Sequence, residues 1–145
     1  MSRSWRSPLL VWTVGGAVTI ALLTAGDRVT ALVELAFFLL LGAALSPLPF
    51  PPSSTERGAR GDSRRDGRPV VHWRPGCRFC LRLRLVLWRD AGRVHWVNIW
   101  RDPEGAAAVR DVTGGDETVP TVTFPQAPPE VNPDPRRLRA RLRAA

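Results

Sequence analysis

Two long apolar runs lie back to back near the N-terminus, and they constrain this chain more than anything else in it. Residues 9–25 read LLVWTVGGAVTIALLTA without a charge, and residues 29–45 read VTALVELAFFLLLGAAL with Glu34 as the single interruption. A 17-residue helix is about 25 Å long, short but sufficient to cross the hydrocarbon of a bilayer. Only Gly26, Asp27 and Arg28 separate the runs, so the pattern predicts two transmembrane helices joined as a hairpin. Trp5 and Trp12 fall near one end of the first helix, where amphipathic rings favour the membrane interface.

The flanks of the hairpin orient it. Arg3 and Arg6 precede it, Arg57, Arg60, Arg64, Arg65 and Arg68 follow it, and the turn holds one arginine beside an aspartate. The positive-inside bias therefore predicts a multi-pass membrane protein with both termini cytoplasmic. The rival is a signal peptide ending near Ala25. Even then the second run acts as a stop-transfer segment and leaves the C-terminal part inside.

The chain changes character twice more. Residues 47–68 are rich in Pro, Gly, Ser and Arg, which reads as a flexible spacer with little apolar surface to bury. Residues 69–145 have mixed globular composition. The expected organisation is thus a hairpin at 1–46, a linker at 47–68 and one small domain at 69–145. The net charge of +8 comes entirely from arginine, since lysine is absent. A basic chain invites a nucleic-acid reading. Here the arginines are scattered and no nucleic-acid motif accompanies them, so nucleic acid is excluded as the main partner.

The last block shows its elements through turn signals and periodicity. Residues 70–73 (VVHW) predict a buried strand, broken by Arg74, Pro75 and Gly76. Residues 78–90 are ambiguous by periodicity, but length, leucine and arginine content and the Leu81/Leu85/Trp88 series favour a helix. Residues 94–100 predict a second strand. Asp102-Pro103-Glu104 is a helix start, with an N-cap acid and proline at the first helical position. Residues 119–124 predict a third strand, and a short fourth is expected around residues 129–131. A last helix starts at Asn132-Pro133 or Asp134-Pro135, with Leu138 and Leu142 inward. A strand–helix–strand start implies a parallel pair with a right-handed crossover.

The only two cysteines, Cys77 and Cys80, fall between the first strand and the first helix of that block. A disulfide framework would use more cysteines at wider spacing, so the pair reads as a reactive site. A cysteine at a helix start meets unpaired N–H groups and the positive end of the macrodipole, which favour the nucleophilic thiolate. Arg74 and Arg78 flank it and are expected to lower its pKa further. Cys80, one turn on, is placed to attack the Cys77 sulfur once that sulfur is in a disulfide. The competing reading, a zinc site completed by His72 and His95, has the wrong histidine spacing. Both histidines also lie in predicted strands, where a histidine is more often structural.

Three ordered segments, VVHWRPGCRFC at 70–80, TVPTV at 118–122 and VNP at 131–133, together resemble the glutaredoxin family, with the greatest likeness to its actinobacterial mycoredoxin-like branch. The resemblance covers essentially all of residues 69–145. It implies an α/β thioredoxin fold, a mixed four-stranded sheet with flanking helices, preceded here by the two transmembrane helices. It implies a cis Val119–Pro120 bond and a surface at Val119, Pro120 and Asn132 that holds a low-molecular-weight thiol. It also implies no bound cofactor, mycothiol or glutathione as co-substrate, and disulfide-containing or thiolated proteins as partners, with membrane lipid around the anchor. The sequence departs from the family at Gly76, at Arg78 inside the pair, and at Gln126–Glu130, where prolines fall in the place of a β-hairpin. The function expected is disulfide reduction by Cys77 and Cys80. The alternative is a non-enzymatic membrane adaptor or redox sensor with a thioredoxin-like domain.

Overall fold

The computed structural model describes residues 3–144 and divides into two units, Met1–Pro49 and Phe50–Ala145. The first unit is a hairpin of α1 (Arg3–Thr24) and α2 (Arg28–Leu45). Both helices are long and apolar enough to cross a membrane. Asp27 caps α2 by accepting from the Thr30 N–H at 3.1 Å. Close packing between the helices depends on glycine. A Cβ on Gly42 would sit 2.0 Å from Trp12 Nε1, and one on Gly15 would sit 2.5 Å from the Phe38 side chain. The ring of Trp12 uses that space to donate to the Leu39 carbonyl at 3.3 Å.

The second unit begins with α3 (Glu56–Asp66) and continues β1 (Val70–Trp73), α4 (Arg78–Val86), β2 (His95–Asn98), α5 (Pro103–Thr113), β3 (Thr121–Phe124), β4 (Ala127–Val131) and α6 (Pro135–Ala144). The sheet order is β2-β1-β3-β4. β1 and β2 are parallel, with Val71 opposite Trp96, while β3 runs antiparallel to both β1 and β4. This is the thioredoxin fold, and from β1 onward its elements follow the order that the sequence pattern predicts. All four residues of β1 are buried, which explains why that strand reads as an unbroken apolar run. Val71 and Trp73 join Leu83 of α4, Leu87 at its C-cap, and Leu138 and Leu142 of α6 in one core. Val70 faces the other way, against Val97 and Ala59 of α3.

Two expectations need correction. First, residues 47–68 are not a flexible spacer throughout, because the folded unit begins at Phe50. Phe50 stacks on Trp73 with ring centroids 3.7 Å apart and meets Trp96 edge-on. Ser54 N–H donates to the Trp96 carbonyl at 2.9 Å, and Trp73 Nε1 donates to Ser53 Oγ at 3.2 Å. Helix α3 then docks mainly through polar groups. Glu56 Oε2 lies 2.7 Å from His72 Nε2, with both side chains buried, and Asp66 Oδ2 lies 3.0 Å from His95 Nε2. Buried polar groups must be paired, and here helix and strands satisfy one another. Thr55 caps the helix start and Gly67, at φ 75°, ends it in the left-handed conformation.

Second, the Leu81/Leu85/Trp88 series that points to a helix is not its buried face, which is formed by Cys80 and Leu83 with Leu87 at the C-cap. Leu85 is 56% exposed and Trp88 67%. The fourth strand expected around residues 129–131 is present as β4, and Pro128 and Pro129 both fall within it. They lie at the sheet edge, where a missing N–H is tolerated. Strand limits also contract. β2 stops at Asn98 because Asn98 Oδ1 accepts from the Trp100 N–H and its carbonyl from Arg101, which turns the chain toward α5.

Candidate active site

The strand β1 delivers the chain to the surface at Arg74, where Pro75 and Gly76 turn it, Gly76 at φ 75°. Cys77 follows as the N-cap of α4, one position earlier than a first helical residue, and its Sγ accepts from the Cys80 N–H at 3.2 Å. The reactive sulfur therefore occupies the position at which a serine or aspartate oxygen usually satisfies the first orphan N–H of a helix. Negative charge on that sulfur strengthens the cap and gains from the helix macrodipole. Cys77 is partly exposed and Cys80 fully buried, and both are free thiols.

These contacts separate the two thiols chemically. The Cys77 thiol is held down to about 6 from an ordinary 9.0. The largest cause is the hydrogen bond from the Cys80 side chain. Partial burial opposes it, and the N–H groups of Cys80 and Phe79 and the positive charge of Arg74 add to the lowering. Cys80 is pushed far up, first by that same hydrogen bond and then by burial and the neighbouring charge. At neutral pH Cys77 is the thiolate and Cys80 the proton donor, which fits an attacking and a resolving thiol.

Arg74 acts as expected, and its guanidinium also lies 6.0 Å from the Trp100 ring. The Arg78 guanidinium sits over the Phe79 ring at 4.7 Å, and it is not among the main groups that acidify Cys77.

Across from the cysteines, the Val119–Pro120 bond is cis, and the Val119 carbonyl lies 3.4 Å from Cys77 Sγ, in range to accept from the thiol form. Two hydrogen bonds brace this loop, from Thr121 Oγ1 to the Thr118 carbonyl at 2.7 Å and from Asn132 N to the Pro120 carbonyl at 2.7 Å. Asn132 thus joins the site through its backbone. It has φ 47°, its side chain is exposed, and among the described residues that side chain makes no hydrogen bond. It precedes α6, whose N-terminal N–H groups at Arg136 and Arg137 are capped by Asp134 instead. The start of the last helix is therefore Asp134-Pro135.

His72 and His95 are held by acids of α3, and among the described residues no group of three or more His, Cys, Asp or Glu side chains is arranged to hold a metal. The sequence left Glu56 unnoticed, and it is the partner that fixes His72 behind the strand leading to Cys77. A thiolate at the N-cap of a helix, a buried thiol one turn on and a cis-proline loop facing both make a thiol–disulfide oxidoreductase centre. Comparison with known proteins agrees. The family model described as glutaredoxin matches residues 70–126. Two Mycobacterium tuberculosis proteins carrying a glutaredoxin name, one from strain CDC 1551 and one from H37Rv, are each 35% identical over 66 residues, 46% of this chain and 79% of theirs. On fold, site and similarity together, the chain belongs to the glutaredoxin family.

Proposed function

We propose that this chain is a membrane-anchored, cytoplasm-facing reductase of mixed disulfides or protein disulfides that uses a low-molecular-weight thiol. The observation that carries the reading is the Cys77 sulfur, which caps α4 at the Cys80 N–H and is acidified to about 6. The Cys77 thiolate attacks one sulfur of a disulfide, forms a new S–S bond and expels the partner sulfur as a thiolate that takes up a proton. The adduct on Cys77 is then resolved in one of two ways. Cys80 attacks the Cys77 sulfur, leaving a Cys77–Cys80 disulfide and a free thiol, and two equivalents of small thiol later reduce that disulfide. Alternatively, where the adduct is the small thiol, a second small thiol attacks the adduct's own sulfur, leaving the Cys77 thiolate and an oxidised small-thiol dimer.

Val119, Pro120 and Asn132 line the side from which the adduct is approached. The mycoredoxin-like resemblance favours mycothiol over glutathione as the reductant. The two apolar helices support the anchor, and the arginine-rich flanks support cytoplasmic termini. The test is turnover of a small mixed disulfide by the full chain in a bilayer, with mycothiol or glutathione supplied. Turnover abolished by Cys77→Ser and retained by Cys80→Ser is the expected pattern, with mycothiol the better reductant. Activity surviving Cys77→Ser overturns the assignment, and a single stoichiometric event without turnover makes the protein a redox adaptor.

A further inference from the structure

The outer face of α4 is chemically unlike the other helix surfaces of the domain. Between Arg78 and Arg89 the chain holds four arginines and no acid. Among the described residues none of the four is ion-paired, whereas three of the five arginines of α6, Arg139, Arg141 and Arg143, meet carboxylates. The same stretch exposes three large apolar side chains, Phe79 at 40%, Leu85 at 56% and Trp88 at 67%. Arg82 and Leu85 share a face of the helix by their spacing, and Trp88 and Arg89 continue that line in the following turn. The Arg84 guanidinium lies 5.4 Å from the Trp88 ring, with its Nε and Nη1 covered and without an acceptor. An arginine-rich strip with an exposed tryptophan and leucine matches a headgroup layer, where arginine meets phosphate and the indole ring sits at the lipid–water boundary.

The geometry points to a second role for this strip: the outer face of α4 docks on the anionic lipid surface of the membrane in which the hairpin sits. The inference rests on the proposed anchor, and that anchor makes it effective. Only residues 46–49 lie between the end of α2 and Phe50. An extended chain covers about 3.6 Å per residue, so the tether is only about 20 Å long. A surface so tethered meets lipid at high effective concentration, and weak contacts suffice. Positive charge within a Debye length of an anionic leaflet is attracted to it, about 8 Å at physiological salt. Docking there lays the helix that carries Cys77 along the headgroups and directs the thiolate toward disulfides near the membrane surface.

The test uses the full chain in vesicles of phosphatidylcholine alone and of phosphatidylcholine with about one third phosphatidylserine, an anionic content that gives a strong surface potential. Acrylamide quenching of Trp88 is taken as the difference between the chain and its Trp88→Phe variant. Docking predicts that this quenching falls about threefold or more on the anionic vesicles, as for a ring at headgroup depth. It also predicts recovery at high salt and in the Arg82→Gln/Arg89→Gln variant, whose thermal melting stays unchanged. Trp88 equally quenched on both vesicles overturns the proposal, as does shielding that ignores lipid charge and grows with protein concentration, which marks a second protein copy as the occupant. Alkaline carbonate extraction separates the two levels. A chain released by carbonate refutes the anchor, whereas a chain retained in the vesicles with Trp88 exposed refutes the docking alone.

Discussion

The Cys77 thiolate can be measured directly. Alkylation by iodoacetamide follows the thiolate fraction. With a pKa of about 6, that fraction is about 0.9 at pH 7 and about 0.1 at pH 5, whereas an unperturbed thiol at 9.0 is only about 1% ionised at pH 7. The labelling rate should therefore fall about tenfold from pH 7 to pH 5 and rise hardly at all from pH 7 to pH 9. An unperturbed thiol would gain about fiftyfold over that upper interval. The perturbation is Cys80→Ala, which removes the largest acidifying contact while leaving the backbone N–H in place. Its inflection should move up by about one unit or more, with Cys80→Ser intermediate because a hydroxyl still donates. Arg74→Gln should shift it upward by less, since the arginine acts only through charge. Mass spectrometry should find one label per reduced chain, because Cys80 is buried and its thiol is held protonated. An inflection above pH 8 in the parent chain, or one unmoved by Cys80→Ala, refutes the account of how the site is acidified.

Two further outcomes follow from groups outside the cysteine pair. Glu56→Ala leaves Nε2 of the buried His72 without its carboxylate and should cost about 3 kcal/mol, seen as a drop of roughly 15 °C in thermal midpoint. Burial pushes the Glu56 carboxyl up, but His72 and Arg60 outweigh it and hold the group below its ordinary 4.5. Its contribution is thus present above pH 4.5 and is lost as pH falls through the depressed value. A Glu56→Ala chain that keeps the parent's full difference in stability below that window contradicts this. At Asn132, with φ 47°, Asn132→Gly should leave stability within about 0.5 kcal/mol while Asn132→Val costs about 1–2 kcal/mol in chemical denaturation. If the Asn132 side chain contacts the small thiol, the glycine variant raises KM for that thiol without loss of stability. An unchanged KM assigns the residue a backbone role only.

Much of the catalytic half was legible because its signals are local. A C-x-x-C pair after a broken strand, an Asp-Pro-Glu helix start and a Thr-Val-Pro segment each bring their own chemistry within a few residues. Helix α3 was not legible, for the opposite reason. Its sequence, ERGARGDSRRD, buries one alanine completely and docks mainly through polar groups, and the partners of Glu56 and Asp66 are histidines in strands that read as apolar. The local cues were present in Thr55 and Gly67, which cap its two ends. What overrode them was composition, since glycine, serine and arginine suggest disorder when no partner is in view. The stripe on α4 was misread because leucine occupies both inward and outward positions, so hydrophobicity alone could not choose a face. Cys80 could have chosen it, since Cys80, Leu83 and Leu87 follow helical spacing and all three are buried.

The sulfur that does the chemistry is also the group that holds the start of α4 in place. When Cys77 enters a mixed disulfide it loses its negative charge, and a neutral disulfide sulfur is a far weaker acceptor for the Cys80 N–H. The cap at the start of α4 is therefore strongest with the Cys77 thiolate and weakest while that sulfur is held in a disulfide.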